Sequence, residues 1–423
     1  MSLLPKKRPG KPRDYLAALD VGSSKISCLI ARVAYDDVDA APQLHLLGSG
    51  QQISRGLKNG TIIDMEALED SILNSVHSAE QQAGVTIEEV LVSLPAQSIV
   101  SQMVTNEIAI GNQAADESHI RRLMNVESLI SPDLWLIHAL PIEYYIDQTR
   151  GIKDPRGLYG EKLGIKLHLI LAPQGFIRNL SRCIGRCHLD VAGYVAAPYA
   201  SGLATLVEDE LQLGVMLIDL GGGGTSVACF IDGHLVHMGY VPLGGLHVTH
   251  DIARGLSTPI AQAERLKTLY GSVLVTTTDE RENILIPLLG EDQTAHINQV
   301  PKSLLTHIIR SRVEETLGYL SQTLKERDLN HLLTQRIVLT GGASQLGGLR
   351  EFVTAQLGKA ARLGIPQGLR GSQDVIHNPG MATCIGLLHY ATQEQATGRD
   401  AVNLAVSSGN IFQRAYQWVR ENF

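Results

Sequence analysis

Hydrophobic and polar positions alternate along the chain in a way that predicts two related halves. Residues 15–33 predict a strand, a tight turn and a second strand, because apolar and β-branched residues flank the polar sequence DVGSSK at 20–25. The pattern returns about two hundred residues later, where an apolar run precedes DLGGGGT at 219–225 and another follows. A further hairpin turn is predicted at Asp232-Gly233. We call the two polar tips the first turn (20–25) and the second turn (219–225).

A segment with a different pattern of hydrophobic and polar residues lies between the two halves. Strands are predicted over 89–94, 99–110 and 134–140, the last ending at Pro141. A helix over 116–126 begins after Asp116, whose side chain suits an N-cap. These elements predict a small α+β insert, after which a strand over 164–171 returns to the first half and a helix follows over 175–188.

The remaining pattern completes the second half and the C-terminus. Helices are predicted over 258–270 and 304–324, and a buried strand over 336–340 precedes Gly341-Gly342. Gly, Ser and small polar residues after position 392 predict a flexible linker. The predicted boundaries are a disordered basic arm (1–14), a first half (15–88, 167–205 and 375–391), an insert (89–166), a second half (206–250 and 306–374), its small subdomain (251–305), a linker (392–409) and an amphipathic helix (410–423).

Length and charge set limits on the class of protein. A chain of 423 residues is too long for one hydrophobic core, so two or more domains are expected. The formal net charge of −7 gives no reason to expect nucleic-acid binding. The basic residues at 6–13 alternate with prolines, which predicts a disordered arm, and no apolar segment follows as a signal peptide requires. No run approaches the roughly 18 apolar residues of a membrane-spanning helix.

The 5 cysteines are odd in number, scattered and surrounded by apolar residues. They predict buried thiols in a reducing cytoplasm. The spacing of Cys183, Cys187 and His188 lets two of these side chains share a helix face, but a zinc site needs four ligands and no second cluster follows. Core cysteines are therefore the favoured interpretation.

Both turns suit the phosphates of a nucleotide. Asp20 and Asp219 each end a strand and precede glycines, so that backbone N–H groups can surround phosphate oxygens while the carboxylate holds a hydrated magnesium ion. Either turn alone is equally well explained as a plain turn capped by its aspartate. Four consecutive glycines at 221–224 are harder to explain in that way, because glycine is retained where another backbone or a ligand approaches closely. The pair of turns at matching points favours a phosphate clamp.

A third motif, IVLTGGAS at 337–344, begins in the buried strand at 336–340 and continues into the glycines that end it. Its glycines, Gly341 and Gly342, permit close approach to a flat base and ribose, although such a pair alone is more often only a turn. The three motifs together resemble the signature of the superfamily of actin, heat-shock chaperones and sugar kinases. That resemblance implies an actin-like α/β fold of two related halves around a nucleotide cleft.

Three further segments resemble the FtsA family of bacterial cell division proteins. They are SRGLKNGTIID at 54–64, DPRGLYG at 154–160, and the stretch 242–271 with its PLGG, DIA and AERLK elements. The resemblance covers nearly the whole chain. It implies an ATP-binding, magnesium-dependent cytoskeletal protein that tethers FtsZ filaments to the cytoplasmic face of the inner membrane at the division septum.

The resemblance also implies roles for particular regions. The insert would mediate self-association into filaments and contacts with later division proteins, and 251–305 would receive the C-terminal tail of FtsZ. Glu264 and Lys267 would reach the adenosine ribose; otherwise they form an ordinary i,i+3 pair on a solvated helix. The nucleotide-binding candidates are Asp20, Gly22, Ser23, Ser24, Lys25, Asp219, Gly221, Gly222, Gly223, Gly224, Thr225, Gly244, Gly245, Glu264, Lys267, Gly341, Gly342 and Ala343, and the metal candidates are Asp20 and Asp219.

Three positions depart from the family pattern and bear on catalysis. Gly224 and Ser226 stand where Thr and Asp are usual, which leaves Asp219 as the acid of the second turn and the one catalytic candidate. Ala197-Pro198 stands where several relatives have Glu-Pro at the start of a helix; proline suits that position, but alanine cannot orient water. Slow ATP hydrolysis at most is expected.

The last residues predict a helix that lies on a membrane. At about 100° per residue, one arc of the helix is apolar and the other polar. The membrane candidates are Ile411, Phe412, Arg414, Ala415, Tyr416, Trp418, Val419, Arg420 and Phe423. A terminal helix docked on the body is the alternative, but the preceding linker and the aromatic residues favour the bilayer interface. Arg414 and Arg420 would add about 1 kcal/mol each toward anionic lipids.

Two other classes share the predicted fold. A sugar kinase or phosphatase needs a catalytic acid near the cleft and no membrane tail, whereas an assembly ATPase of cell shape or pili should lack the DPRG segment. The sequence disfavours both, although fold analogy alone does not establish function.

Overall fold

The computed structural model describes residues 15–34, 43–58, 60–276, 279–287, 297–326 and 336–397. The strands are β1 (Tyr15–Val21), β2 (Lys25–Ala34), β3 (Gln43–Ile53), β4 (Leu57–Lys58), β5 (Thr61–Ile62), β6 (Glu89–Leu94), β7 (Val100–Ala114), β8 (Leu134–Ile146), β9 (Thr149–Ile152), β10 (Tyr159–Pro173), β11 (Asp190–Ala196), β12 (Val215–Leu220), β13 (Thr225–Ile231), β14 (His234–Val241), β15 (Asn283–Pro287), β16 (Ile297–Pro301), β17 (Arg336–Thr340), β18 (Ala360–Leu363) and β19 (Leu369–Arg370). The helices are α1 (Met65–Ala83), α2 (Glu117–Met124), α3 (Gln174–Arg186), α4 (Ala197–Thr205), α5 (Glu208–Leu213), α6 (Gly245–Gly255), α7 (Ile260–Tyr270), α8 (Lys302–Glu326), α9 (Leu349–Leu357), α10 (Gln373–Ile376) and α11 (Ala382–Thr397).

The two halves have central sheets with the same arrangement at their hairpins, as predicted. The first sheet has the order β11-β6-β1-β2-β3-β19, and the second β14-β13-β12-β17-β18. In each sheet the first strand of the hairpin pairs antiparallel with the second, with Asp20 opposite Ser27 and Asp219 opposite Ser226. Each first strand also pairs parallel with a later strand, β6 or β17. The prediction of two related halves is confirmed.

The insert is a four-stranded antiparallel sheet with the order β7-β10-β8-β9, and its predicted boundaries are wrong at both ends. The strand over 89–94 is β6, which lies between β1 and β11 in the sheet of the first half. The strand over 164–171 is part of β10, which pairs with β7 and β8 and so stays in the insert.

The C-terminal boundary of the insert is predicted wrongly because residues of a single strand, β10, pack in two different cores. Leu163, Ile165 and Leu167 of β10 pack in the core of the insert, while Ile170 and Ala172 pack in the core of the first half. The apolar run is therefore nearly continuous and gives no local sign of a boundary.

Two further predictions at element ends are also wrong. Pro141 does not end its strand: β8 continues to Ile146 because the proline lies beside a register shift of the ladder, where the lost N–H is tolerated. Helix α11 continues to Thr397, into the predicted linker. The basic arm (1–14), the rest of the linker and the C-terminal amphipathic helix lie outside the described residues.

Other local predictions are confirmed. Asp116 caps α2 by accepting a hydrogen bond from the backbone N–H of His119, and α3, α7 and α8 lie where helices are predicted. All the cysteines are buried, and burial raises the pKa of Cys183 to about 12 and of Cys187 to about 11. Within the described residues, no helix is long and apolar enough to cross a membrane.

Candidate nucleotide site

The first and second turns have the same backbone closure. In the first turn the N–H of Gly22 donates to the carbonyl of Lys25 at 3.1 Å, and in the second the N–H of Gly221 donates to the carbonyl of Gly224 at 3.0 Å. In both turns the bonded glycine follows the aspartate by two residues. The equivalence predicted from sequence therefore extends to individual hydrogen bonds.

The two turns face each other in direct contact. A Cβ atom added to Gly222 would lie 2.5 Å from the Cβ of Ser24, and one added to Gly223 would lie 2.6 Å from the Cβ of Ser23. Real Cβ atoms do not approach so closely, so these positions exclude side chains. Gly222 and Gly223 of the second turn are thus required by the serines of the first turn.

Asp20 is held at the base of the first turn. Its Oδ1 accepts a hydrogen bond from Ser93 Oγ at 2.6 Å, and the same Oγ accepts the backbone N–H of Val21 at 3.1 Å. Burial raises the pKa of Asp20, opposed by the Ser93 hydrogen bond and by the charge of Lys25. Burial lowers the pKa of Lys25, whose charge Asp20 and Asp219 stabilise.

Asp219 is held from the opposite half. Its Oδ2 accepts a hydrogen bond from Ser201 Oγ of α4 at 2.8 Å, and Ser201 is itself 2.9 Å from the hydroxyl of Thr383 at the start of α11. Burial raises the pKa of Asp219 to about 6; the bond from Ser201 lowers it and the nearby Asp20 charge raises it. Two carboxyl groups and one ammonium group therefore share the base of the cleft.

These groups suit a magnesium ion that is held largely by other oxygens. Carboxylate oxygens are hard ligands of the kind that Mg²⁺ binds. Across the described ranges, no three His, Cys, Asp or Glu side chains cluster as a metal site. A magnesium ion at Asp20 and Asp219 would need phosphate and water oxygens as its other ligands, and this site stays a prediction.

The third motif closes against the second turn. Gly341 has a φ of 85°, and a Cβ there would lie 2.6 Å from the carbonyl oxygen of Leu220 and clash with Asp219. The N–H of Gly341 donates to the carbonyl of Pro379 at 3.2 Å. At Gly342, by contrast, no atom of the described residues beyond its chain neighbours lies within 4 Å of the Cβ position, so that its surface is open.

Gly244 and Gly245 support the second turn directly. The first N–H groups of α6 donate to the turn, from Gly245 to the carbonyl of Gly221 and from Leu246 to that of Gly222, both at 2.9 Å. A Cβ on Gly244 would come within 2.7 Å of three backbone atoms of the turn. The N–H of Gly244 also has a partner, since it donates to Nδ1 of His247 at 3.1 Å. The predicted contact of Gly244 and Gly245 with a nucleotide stays a prediction.

Glu264 and Lys267 lie beside the third motif. Lys267 Nζ donates to Glu264 Oε2 at 2.7 Å, to Thr249 Oγ1 at 2.8 Å and to the carbonyl of Gly245 at 3.1 Å. The Cβ position of Gly245 is 3.2 Å from that of Ala343. The structure thus brings these candidates to one side of the second turn, where the resemblance places a nucleoside.

Sequence reasoning missed several hydroxyl groups around the turns. They belong to Ser93, Ser201, Thr383 and Tyr240. Ser93, Ser201 and Tyr240 contact the turns from other strands or helices, and Thr383 contacts Ser201, so no pattern within a turn identifies them. Ala197 begins α4 with proline in the first turn, as predicted.

Comparisons with known proteins follow the same division of the chain. The family model described as cell division protein FtsA matches residues 216–386, and the model described as the SHS2 domain inserted in FTSA matches 96–171. The chain is 39% identical to the cell division protein FtsA of Agrobacterium fabrum, over 99% of this chain and 98% of that protein. The chain belongs to the FtsA family. The FtsA of Pseudomonas aeruginosa is 30% identical over 96% of this chain and 98% of its own length.

Solved structures show that this FtsA-family chain has the actin-like fold. A type IV pilus biogenesis complex of PilM and PilN matches with a TM-score of 0.62 at 17% identity, covering 90% of this chain and 99% of that chain. MreB5 of Spiroplasma citri, solved with ADP, matches with a TM-score of 0.53 at 12% identity, covering 91% and 99%. The SHS2 match from 96 to 171 also agrees with the corrected limits of the insert.

Proposed function

We propose that this FtsA-family protein binds ATP with Mg²⁺ between its two turns and acts in bacterial cell division. In this role it would tether FtsZ filaments to the cytoplasmic face of the inner membrane at the septum. The observation that carries the nucleotide proposal is the direct contact of two equivalent turns, each with a carboxylate at its base. Family membership carries the proposal of a division function.

Each part of the cleft has a defined task in this proposal. Backbone N–H groups of both turns bind phosphate oxygens, and the ammonium group of Lys25 offsets their charge. Asp20 and Asp219 hold the hydrated magnesium ion. The nucleoside lies toward Gly342 and Ala343, with Glu264 and Lys267 at the ribose.

ATP serves mainly as a ligand that closes the cleft and supports polymerisation. Ala197 has no polar side-chain atom, and Gly224 and Ser226 add no acid to the second turn. General-base or water-orienting groups are what phosphoryl transfer to water requires. Turnover is therefore expected to be slow at most.

The membrane and partner contacts rest on the sequence and on the family. The apolar arc of the C-terminal residues would bind the bilayer, and polymerisation would add avidity to a weak single helix. The tail of FtsZ would bind the small subdomain at 251–305, and the insert would contact neighbouring copies and later division proteins.

The nucleotide proposal is tested by titrating the full-length protein with ATP, with and without Mg²⁺, by calorimetry. Wild-type protein should bind more tightly with Mg²⁺, and Asp219→Ala should weaken binding at least about tenfold, the equivalent of 1.4 kcal/mol. Asp209→Ala, on the exposed first turn of α5, is the matched control and should bind as wild type does. Equal affinity in all three proteins, or no effect of Mg²⁺, contradicts the proposal.

The tether is tested on anionic vesicles. Trp418→Glu should release the protein from co-sedimenting vesicles, because a charge on the apolar arc opposes burial in the bilayer interface. A peptide with the sequence of the FtsZ tail should bind both proteins equally. Unchanged co-sedimentation of Trp418→Glu rejects the membrane helix without affecting the nucleotide proposal.

A further inference from the structure

Tyr240 occupies the space that a side chain at position 224 would need. A Cβ added to Gly224 would overlap the phenol of Tyr240, whose oxygen is the nearest atom. The hydroxyl also donates a hydrogen bond to the carbonyl of Gly223 at 3.4 Å. Where the family commonly has the hydroxyl of a threonine at position 224, this chain thus has the hydroxyl of Tyr240 from strand β14.

The pairing of β14 with β13 places the ring there. Tyr240 lies opposite Ser226 in the ladder, and Gly224 precedes Ser226 by two residues, which makes it a diagonal neighbour on the same face. That face packs toward the first half through Ala228 and Met238. Tyr240 therefore faces the cleft between the halves.

The nucleoside candidates lie on the other side of the second turn. Gly245 contacts Ala343 there, and α6 packs in the core of the second half through Val248 and Ile252. A nucleotide whose base lies on that side extends its phosphates across the turn toward Gly224. Its last phosphate is then the one nearest to Tyr240.

We propose that Tyr240 binds the terminal phosphate of ATP through its hydroxyl and so favours triphosphate over diphosphate. This inference rests on the proposed nucleotide function and adds a specificity residue to it. In the bound state the long bond to Gly223 is exchanged for one to a charged phosphate oxygen, and hydrogen bonds to ionised acceptors are shorter and stronger. Burial raises the pKa of Tyr240 to about 12, so the hydroxyl keeps its proton and can donate at neutral pH.

The direct test compares ATP and ADP affinities of full-length Tyr240→Phe, which keeps the ring and loses the hydroxyl. ATP affinity should fall about tenfold, the loss expected for one hydrogen bond to a charged group, while ADP affinity should stay unchanged. Tyr319→Phe, half-exposed on α8, is the matched control and should leave both affinities unchanged.

A second pair of variants moves the hydroxyl from the strand to the turn. Gly224→Thr alone should lose binding of both nucleotides because its side chain collides with the ring. Tyr240→Ala should lose the preference for ATP, and the double variant Tyr240→Ala with Gly224→Thr should regain it, since a turn hydroxyl then has room. Thermal melts with matched midpoints for Tyr240→Phe and wild type show that the ring variant is folded.

The outcomes separate this inference from the proposed function. If wild-type protein binds neither nucleotide, the proposed function fails and the role of Tyr240 fails with it. If wild-type protein binds ATP but Tyr240→Phe changes ATP and ADP affinity equally, or changes neither, only the role of Tyr240 is overturned. A selective loss of ATP affinity in Tyr240→Phe, together with recovery of the ATP preference when Gly224→Thr is added to Tyr240→Ala, establishes it.

Discussion

Two adjacent glycines of the third motif should respond in opposite ways to the same small change. Gly341 has a φ of 85°, and an added Cβ would lie 2.6 Å from the carbonyl oxygen of Leu220. At Gly342, the part of the chain that the structure describes leaves the space within 4 Å of the Cβ position empty. Alanine at Gly341 should therefore damage the fold, and alanine at Gly342 should affect only what binds there.

The magnitudes follow from the backbone and the contacts. The backbone of Gly341, with φ 85° and ψ 164°, lies in a region that is essentially restricted to glycine and costs another residue about 1–3 kcal/mol. A close contact with backbone atoms, which cannot rotate away, adds about 1–3 kcal/mol. Gly341→Ala should thus lower the free energy of unfolding by about 2–6 kcal/mol, while Gly342→Ala should change it by less than about 0.5 kcal/mol, as at an ordinary surface position.

Denaturant unfolding and ATP titration of both variants give the comparison. Gly341→Ala should unfold at a lower denaturant concentration. Gly342→Ala should unfold as wild type does and bind ATP more weakly, because its methyl group would lie on the surface proposed for the nucleoside. Equal stability of the two variants would refute the steric reasoning, and wild-type ATP affinity in Gly342→Ala would remove the nucleoside from this surface.

Two buried groups outside the cleft should control stability. Burial is the main reason that the pKa of His138 is lowered to about 3. As the pH falls, His138 is protonated first in the unfolded chain, where its pKa is about 6.5. The contribution of neutral His138 to the free energy of unfolding is therefore complete above pH 6.5 and falls by about 2 kcal/mol between pH 7 and 5. Denaturant unfolding at pH 7 and pH 5 should show that His138→Gln removes this loss, whereas His77→Gln, at an exposed position, does not. An equal change in stability with pH in wild type and His138→Gln would contradict the role of His138. Arg362→Ala should lower the free energy of unfolding by about 3 kcal/mol, because it leaves the buried carboxylate of Glu210 without its closest cation, at 2.5 Å. Arg350→Ala breaks an exposed ion pair and should cost less than about 1 kcal/mol in the same assay. Similar losses in the two variants would contradict the burial argument.

The parts of the fold that sequence predicts are those determined by neighbouring residues. Each hairpin of the two halves needs only apolar strands on either side of a glycine turn, and Asp116 caps α2 through a bond to a residue three positions away. Strand β10 is different, because its apolar residues divide between two cores. The position of that division depends on which strands pair with it, so the boundary of the insert cannot be read locally.

The same distinction applies to the cleft. The turn residues Asp20 and Asp219 are predictable, since glycines follow each at the end of a strand. Their partners Ser93 and Ser201 are not, because a single serine in a buried strand or helix has no distinguishing neighbour. The glycine run at 221–224 is only partly interpretable from sequence. The pattern indicates that other atoms approach the backbone closely, but it does not identify them as the serines of the first turn and the ring of Tyr240.

Hydroxyl groups from outside the turns fix the two carboxylates and contact the second turn. Ser93 fixes Asp20 within the first half, whereas Ser201 crosses from α4 to Asp219 and therefore joins the two halves at the base of the cleft. Tyr240 contacts Gly223 from β14, so both members of that contact belong to the second half. A relative movement of the halves therefore changes the contact of Ser201 with Asp219 but leaves those of Ser93 and Tyr240 intact. The group that positions the carboxylate of the second turn is thus the one that responds when the cleft opens or closes, while the hydroxyl beside its last glycine moves with the turn.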